Sequence, residues 1–186
     1  MRRKLDQAIK MDPTFWPAFY TRADLSDTQE KWAEVVADTT RALQWDPKFA
    51  AALILRSRAN SLLGRYRAAV VDLERTVSLR PDEDLYSYAL NELAWILATI
   101  PVKPLRNPSR AVELAKRACE ITHWKDGEII DTLAAAHAAK GDFNSAVRFE
   151  KSRVRLNARA LKAGADISPP LSGTKPPSSR THISSL

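Results

Sequence analysis

Residues 50–81 decide the fold, and they read AAALILRSRANSLLGRYRAAVVDLERTVSLRP. Two apolar segments rich in helix-forming residues flank Gly64, and glycine accepts the left-handed backbone of a tight turn. The second segment places apolar residues three and four apart, which marks one face of a helix. Pro81 ends that helix, because proline lacks an amide donor and disfavours helix at the residue before it. The stretch therefore predicts a pair of helices joined by a short turn.

The same plan recurs along the chain at a fixed spacing. Pro13, Pro47 and Pro81 lie 34 residues apart. Other pairs keep the same interval: Ala8 and Ala42, Phe15 and Phe49, Ala18 and Ala52, and Trp32 and Tyr66. A constant period of this length is typical of stacked repeats, in which each repeat is one supersecondary unit.

The spacing changes in the third unit, although the plan does not. We expect a first helix over 90–99, a loop over 100–108 that is longer than a simple turn, and then a second helix. Asn107 can cap that second helix, and Pro108 suits its first position. A last helix pair completes the series.

These elements divide the chain into three parts. Residues 1–13 read as half a repeat with only the second helix, and we favour a fragment of a longer array or a truncated gene model over a cap. Residues 14–163 are predicted to form an array of about four helix pairs, of which the third is divergent. Residues 164–186 are rich in Pro and Ser and have no aromatic residue, so we expect a disordered basic tail.

The repeated residues resemble the tetratricopeptide repeat family. The matches are the Gly-x-aromatic turn, the large and small residues of the helices and the closing proline, namely Trp32, Ala42, Pro47, Gly64, Tyr66, Ala69, Pro81, Leu133, Ala134, Gly141, Phe143 and Ala146. The third unit looks like the divergent repeats of large bacterial multi-repeat proteins. The resemblance implies an all-α fold, a right-handed superhelical array of antiparallel helix pairs. Arg22 and Arg56 depart from the family pattern, in which leucine is usual at that position.

The residue composition argues against an enzyme. The chain has one cysteine, Cys119, and no run of about 18 apolar residues, so neither an internal disulfide nor a membrane-spanning helix is expected. The sequence contains no phosphate loop, zinc-protease motif or nucleophile elbow, and we interpret His137 as a helix-packing residue. We therefore expect a cytoplasmic protein with no catalytic residue, no cofactor and no metal.

The net charge of +7 is concentrated towards the C-terminus. Residues 151–186 contain seven Lys or Arg and one acid, which gives +6 and leaves +1 for residues 1–150. The alternative function is therefore binding of a nucleic acid or an acidic partner through this basic segment. Residues 151–186 offer no aromatic side chain on which a base could stack, so we favour a solvated helix end.

The resemblance implies a concave surface lined by the first helix of each pair. We expect a non-enzymatic protein–protein interaction scaffold that binds a peptide or protein there; self-association is compatible with this surface, and no membrane contact is expected. The Lys and Asn of the family's carboxylate clamp are absent, because Tyr20, Asp24 and Leu55 occupy those positions. The predicted partner-binding residues are Tyr20, Asp24, Ile54, Arg58, Tyr88, Asn91, Trp95 and Asp131. For Trp95 the alternative is packing beneath the 100–108 loop.

Overall fold

The structure is a computed structural model that describes residues 1–162, and within them every regular element is a helix. The elements are α1 (Arg2–Met11), α2 (Trp16–Asp27), α3 (Trp32–Trp45), α4 (Ala50–Leu62), α5 (Tyr66–Leu79), α6 (Glu83–Thr99), the 3-10 helix η1 (Lys103–Leu105), α7 (Pro108–Ile121), α8 (Gly127–Lys140) and α9 (Phe143–Lys162). Each α-helix packs against the next along the chain. The predicted all-α class is thus confirmed, whereas the predicted disordered tail, 164–186, lies outside the described residues.

Local sequence signals set the helix ends. Gly64 and Gly141 adopt positive φ values of 73° and 86° at their turns, which glycine reaches without a steric cost. The Asn107 side chain accepts a hydrogen bond from the Arg110 backbone N–H at 3.1 Å and caps α7, as predicted. Asp126 caps α8 in the same way.

Helix α6 is longer than the predicted 90–99. It begins at Glu83, because the Asp82 side chain accepts a hydrogen bond from the Leu85 backbone N–H at 3.0 Å and caps the helix there. The added first turns bury Tyr86 and Ala89 in the core. The acidic residues that open this segment therefore belong to a helix N-terminus and not to a loop.

The loop after α6 folds back on the helix that precedes it. The Asn107 backbone N–H donates to the Leu97 carbonyl at 3.0 Å, and Arg106 Nε donates to the Ile100 carbonyl at 2.5 Å. Leu105 packs against the apolar core. These contacts close the inserted segment over the C-terminal end of α6.

The two departures from the family pattern have a structural reason. Arg22 donates two hydrogen bonds of 2.7 Å to the Asp38 carboxylate, and Arg56 donates two of 2.8 and 2.7 Å to that of Asp72. Both aspartates are buried, with 6% and 4% of their surface exposed. Each arginine therefore joins the two helices of its own pair, which is the task that a leucine performs elsewhere by apolar packing.

Candidate protein-binding surface

The candidate surface is formed by the first helix of each pair. Helices α2, α4, α6 and α8 contact one another in that order. The residues of their packed faces are buried, namely Phe19, Ala23, Leu53, Ser57, Leu93, Leu97, Ile130 and Ala134. We call the neighbouring face of these four helices, which carries Tyr20, Arg58, Tyr88, Glu92 and Trp95, the inner surface. The 34-residue period makes Asp24, Arg58 and Glu92 equivalent positions on it.

An ion pair crosses the inner surface between α2 and α4. Arg58 Nη1 donates to Asp27 Oδ2 at 2.7 Å, and the two side chains are only 18% and 14% exposed. The guanidinium also lies over the ring of Trp32, at 5.7 Å from its centroid. Because Arg58 is held by a carboxylate and an aromatic ring, its charge is largely compensated within the protein.

On α4 and α6, several polar atoms are buried without a hydrogen-bond partner among the described residues. They are the hydroxyl of Tyr88, Oδ1 of Asn91 and Oγ of Ser61. The Tyr88 hydroxyl lies in the field of Glu92, Arg58, Asp27 and Glu128, which belong to four different helices. Burying a polar group without a partner costs free energy, and native structures keep few such groups.

Burial is also the largest cause of the pKa shifts of Glu92 and Tyr88 on this surface. Desolvation raises the pKa of Glu92 to about 7, against the opposing effect of Arg58 and with a smaller upward contribution from Glu128. Desolvation raises the pKa of Tyr88 well above its usual range, and the nearby Glu92 carboxylate adds to the shift. At neutral pH, Glu92 is therefore poised between its protonated and ionised forms.

The inner surface carries more acids than bases. Within residues 1–162, Asp24, Glu92 and Glu128 form no ion pair. Asp131 lies 3.7 Å from Arg153 Nε, but that guanidinium is bound mainly to Glu150. An acidic surface on a chain with a net charge of +7 shows that the charges are segregated along the fold.

The predicted site residues fall into two groups. Tyr20 packs edge-on against Phe49 with ring centroids 4.7 Å apart, and Ile54 packs against the apolar core, so both are half-buried. Trp95 is 40% exposed, and Asp24 is exposed as well. The charge of Arg58 thus reaches Tyr88, and Asn91 and Trp95 follow Tyr88 on α6, while Tyr20 and Ile54 bury much of their surface in packing.

Sequence reasoning missed Glu92. In the third unit it selected Asn91 and Trp95 as equivalents of Tyr20 and Asp24, and each of them is three residues out of register. The spacing of 34 residues gives Tyr88 and Glu92 instead. Strict use of the period would therefore have identified Glu92, although its burial is evident only from the fold.

Two further side chains of the described residues, Cys119 and His137, are held by packing or by contacts within the fold. Cys119 is fully buried, and burial raises the pKa of its thiol to about 12, which suppresses the reactive thiolate. The Nδ1 atom of His137 lies 3.1 Å from Asp142 Oδ2, and its ring stacks on Phe149. No group of three or more potential ligands able to hold a metal ion occurs in the part of the chain that the structure describes. Among these residues, too, no helix has the length and apolarity needed to cross a bilayer.

A second surface feature lies at the C-terminal end of the array. A cavity of about 360 Å³ is lined by Trp124, Arg155 and Arg159, together with Ile130, Ser152 and Leu156. Trp124 is 39% exposed and stacks on Phe149 with ring centroids 6.0 Å apart. Residues 151–186 have no aromatic side chain of their own. The fold places Trp124, from the α7–α8 loop, beside the basic helix α9.

Comparison with known proteins identifies the class of fold. Two crystal structures of MamA match with a TM-score of 0.75 and 17% identity, one covering 90% of this chain and 87% of that protein, the other 87% and 89%. The MamA RS-1 ArsTM double mutant matches at a TM-score of 0.67 and 15% identity, with 85% and 84% covered. The described chain therefore has the tetratricopeptide-like fold that its repeats predicted.

The sequence comparisons are more limited. A segment of 77 residues is 30% identical to rat serine/threonine-protein phosphatase 5, and it covers 41% of this chain. It spans only 15% of the length of the phosphatase. No protein-family model matches the chain. The phosphatase activity of that relative thus has no bearing on the described fold.

Proposed function

We propose that the protein is a non-enzymatic scaffold that binds a peptide or protein segment across the inner surface. The observation that carries this proposal is the conjunction of exposed Trp95 with the buried, unpartnered polar atoms of Tyr88 and Asn91 on the same helix. These three residues lie three, four and seven positions apart, so one face of α6 presents them all. Tryptophan and tyrosine are enriched at the hot spots of protein interfaces.

The energetics favour a bound segment over a merely solvated face. A ligand that supplies hydrogen bonds to Tyr88 and Asn91 would remove a cost that the free protein carries, which is about 1–3 kcal/mol for each unsatisfied group. The indole of Trp95 would lose its contact with water at the same time. The tetratricopeptide-like stacking of helices supports this proposal because it aligns the inner faces of successive units into one extended surface.

The test is affinity capture with a matched pair of tryptophan variants. Trp95→Ala removes the exposed indole of the inner surface, and Trp45→Ala removes a 53% exposed indole from the second helix of the first pair. We expect proteins captured by the wild-type chain to be retained by Trp45→Ala and lost with Trp95→Ala. Capture that survives Trp95→Ala would move the binding site to the second helices or to the basic C-terminal segment.

Arg58 is a poor choice for this test. Its replacement would break the 2.7 Å ion pair with Asp27 and remove the contact with Trp32, so lost binding could reflect a loosened junction of α2 and α4. Within residues 1–162 the Trp95 side chain forms no hydrogen bond, and it is only partly buried, which makes it the cleaner probe.

A second candidate function is anion binding at the C-terminal cavity. It rests on the position of Trp124 beside Arg155 and Arg159, a combination that can stack on a base and pair with a phosphate. Fluorescence anisotropy with a labelled single-stranded oligonucleotide tests it. Binding that weakens steeply with salt and disappears in Trp124→Ala would support this function, whereas binding indifferent to Trp124 would leave only nonspecific attraction to the basic helix.

A further inference from the structure

We propose that the inner surface receives a cationic side chain, a lysine or an arginine of the partner segment, at the junction of α4 and α6 beside Glu92, the Tyr88 hydroxyl and Asn91 Oδ1. This inference rests on the proposed function and defines the chemistry of its ligand. The observation that supports it is that polar atoms of this site have no hydrogen-bond partner among the described residues.

Most of the unused hydrogen-bonding capacity is that of acceptors; the one donor is the hydroxyl of Tyr88. Asn91 Oδ1 can only accept, the ionised Glu92 carboxylate can only accept, and the Tyr88 hydroxyl has lone pairs of its own. The ligand group that matches such a set presents several N–H donors and no acceptor. An ammonium group has three donors and a guanidinium has five, and no other protein side chains combine many donors with a positive charge at all pH values near neutrality.

The surrounding charge selects the same ligand. Arg58 is the one base among these groups of the described inner surface, and Asp27 already binds it at 2.7 Å. Asp24 and Glu128 add negative charge on the neighbouring helices, without an ion pair of their own within residues 1–162. A carboxylate or phosphate on the ligand would be repelled by these acidic side chains, whereas a cation would neutralise their charge.

Trp95 extends the same ligand preference. It lies three residues after Glu92, hence about one helical turn further along the same face of α6, and 40% of its surface is exposed. The face of an indole attracts a cation and packs against the methylene groups of a lysine or arginine. The site can thus bind both the charged end and the apolar stem of such a side chain.

The proposal predicts a pH dependence with a defined sign. Burial raises the pKa of Glu92 to about 7, and the charges that reach it from the packed helices are Arg58 on α4 and Glu128 on α8. A bound cation favours the carboxylate, so binding expels the proton and the affinity falls as the pH drops through the pKa of the free protein. Between pH 8 and pH 6 the ionised fraction falls from about nine tenths to about one tenth, which weakens binding about tenfold.

Selection from a displayed library of random, histidine-free peptides on the full 186-residue chain tests the proposal. We expect the wild-type chain to enrich peptides that share one Lys or Arg position. The isosteric variant Glu92→Gln should lose that enrichment. Glu113→Gln is the matched control, because Glu113 is exposed on α7 and away from the inner surface.

Two measurements separate the outcomes. A selected peptide should bind the wild-type chain about tenfold more weakly at pH 6 than at pH 8, and Tyr88→Phe, which removes only the hydroxyl, should also reduce its affinity. Enriched peptides without a shared basic residue, or equal enrichment by Glu92→Gln, would overturn the cationic site and leave the scaffold function standing. A wild-type chain that enriches no peptide would contradict the scaffold function itself. If Glu92→Gln fails to fold by circular dichroism, the wild-type pH profile and Tyr88→Phe decide the question.

Discussion

The two halves of the array join the helices of a pair by different means. In the pairs α2–α3 and α4–α5, Arg22 binds Asp38 and Arg56 binds Asp72. In the pair α6–α7 the residue equivalent to these arginines is Leu90, which is fully buried in an apolar cluster that also runs through α8. Equivalent positions in the helix pairs therefore hold the two helices together by an ion pair in one half and by an apolar contact in the other.

The difference teaches what each contact contributes. A bidentate pair between an arginine and a buried aspartate fixes the relative orientation of two helices, but removing both charges from water offsets much of the gain. Apolar packing has no such cost and extends over several helices. We infer that the pairs α2–α3 and α4–α5 combine an ion pair with small apolar clusters, whereas the pair α6–α7 depends on a larger apolar cluster, which also includes Ala69 and Leu73 of α5.

The largest expected effect comes from breaking one ion pair. Asp72→Ala leaves the Arg56 guanidinium, which is 20% exposed, without its carboxylate. The free energy of unfolding should fall by roughly 3 kcal/mol, measured by urea denaturation, because an unpaired charge remains partly buried.

The double variant Arg56→Leu plus Asp72→Leu sharpens this test. The two leucines replace the ion pair by apolar packing of the kind that Leu90 provides in the other half. The free energy of unfolding should equal or exceed that of the wild-type chain, since replacing such a pair by apolar residues is often neutral or stabilising. A double variant less stable than Asp72→Ala would show that the ion pair has no apolar substitute in this half.

A smaller loss of stability is expected from changes at a position where both halves have a buried alanine. Ala69 and Ala111 each occupy the fourth position of a second helix, and both are fully buried. Ala69→Leu and Ala111→Leu should each cost about 1–3 kcal/mol through overpacking and lower the melting temperature. Ala68→Leu, at the exposed neighbouring position, is the control and should change little. Tolerance of leucine at only one of the two buried sites would mean that the units are not equivalent.

The smallest effect is expected from an exposed ion pair between the halves. Arg110 Nη1 lies 2.8 Å from Glu74 Oε1, but the side chains are 47% and 41% exposed. Glu74→Gln should change the free energy of unfolding by about 0–1 kcal/mol, because solvent screens such a pair. A loss as large as that of Asp72→Ala would remove the distinction between buried and exposed pairs.

The local part of this fold could be predicted from the sequence. The period of 34 residues, the turn at Gly64 and the cap at Asn107 depend on neighbouring residues, and the structure contains each of them. The ion pair between Arg56 and Asp72 could also have been predicted, because Arg22 and Asp38 are separated by the same 16 residues. A repeated pair of opposite charges at one spacing indicates a contact that recurs in each unit.

Contacts between units could not be predicted in the same way. The burial of Glu92 depends on how α6 stacks against α4 and α8, and the approach of Trp124 to α9 depends on the path of a loop. Neither follows from residues that are close in sequence. The candidate site lies where successive units meet, and there local reasoning carries least information.

The junction of the two halves is also the proposed site, since Arg58 comes from the ion-paired half and Glu92 from the apolar one. The most direct measurement is photo-cross-linking of a selected basic peptide that carries a benzoylphenylalanine next to its Lys or Arg, followed by peptide mapping of the full chain. We expect the cross-links to fall in α4 and α6, close to Arg58, Tyr88 and Trp95. Cross-links confined to the α7–α8 loop and α9, around Trp124 and Arg155, would contradict binding at the inner surface.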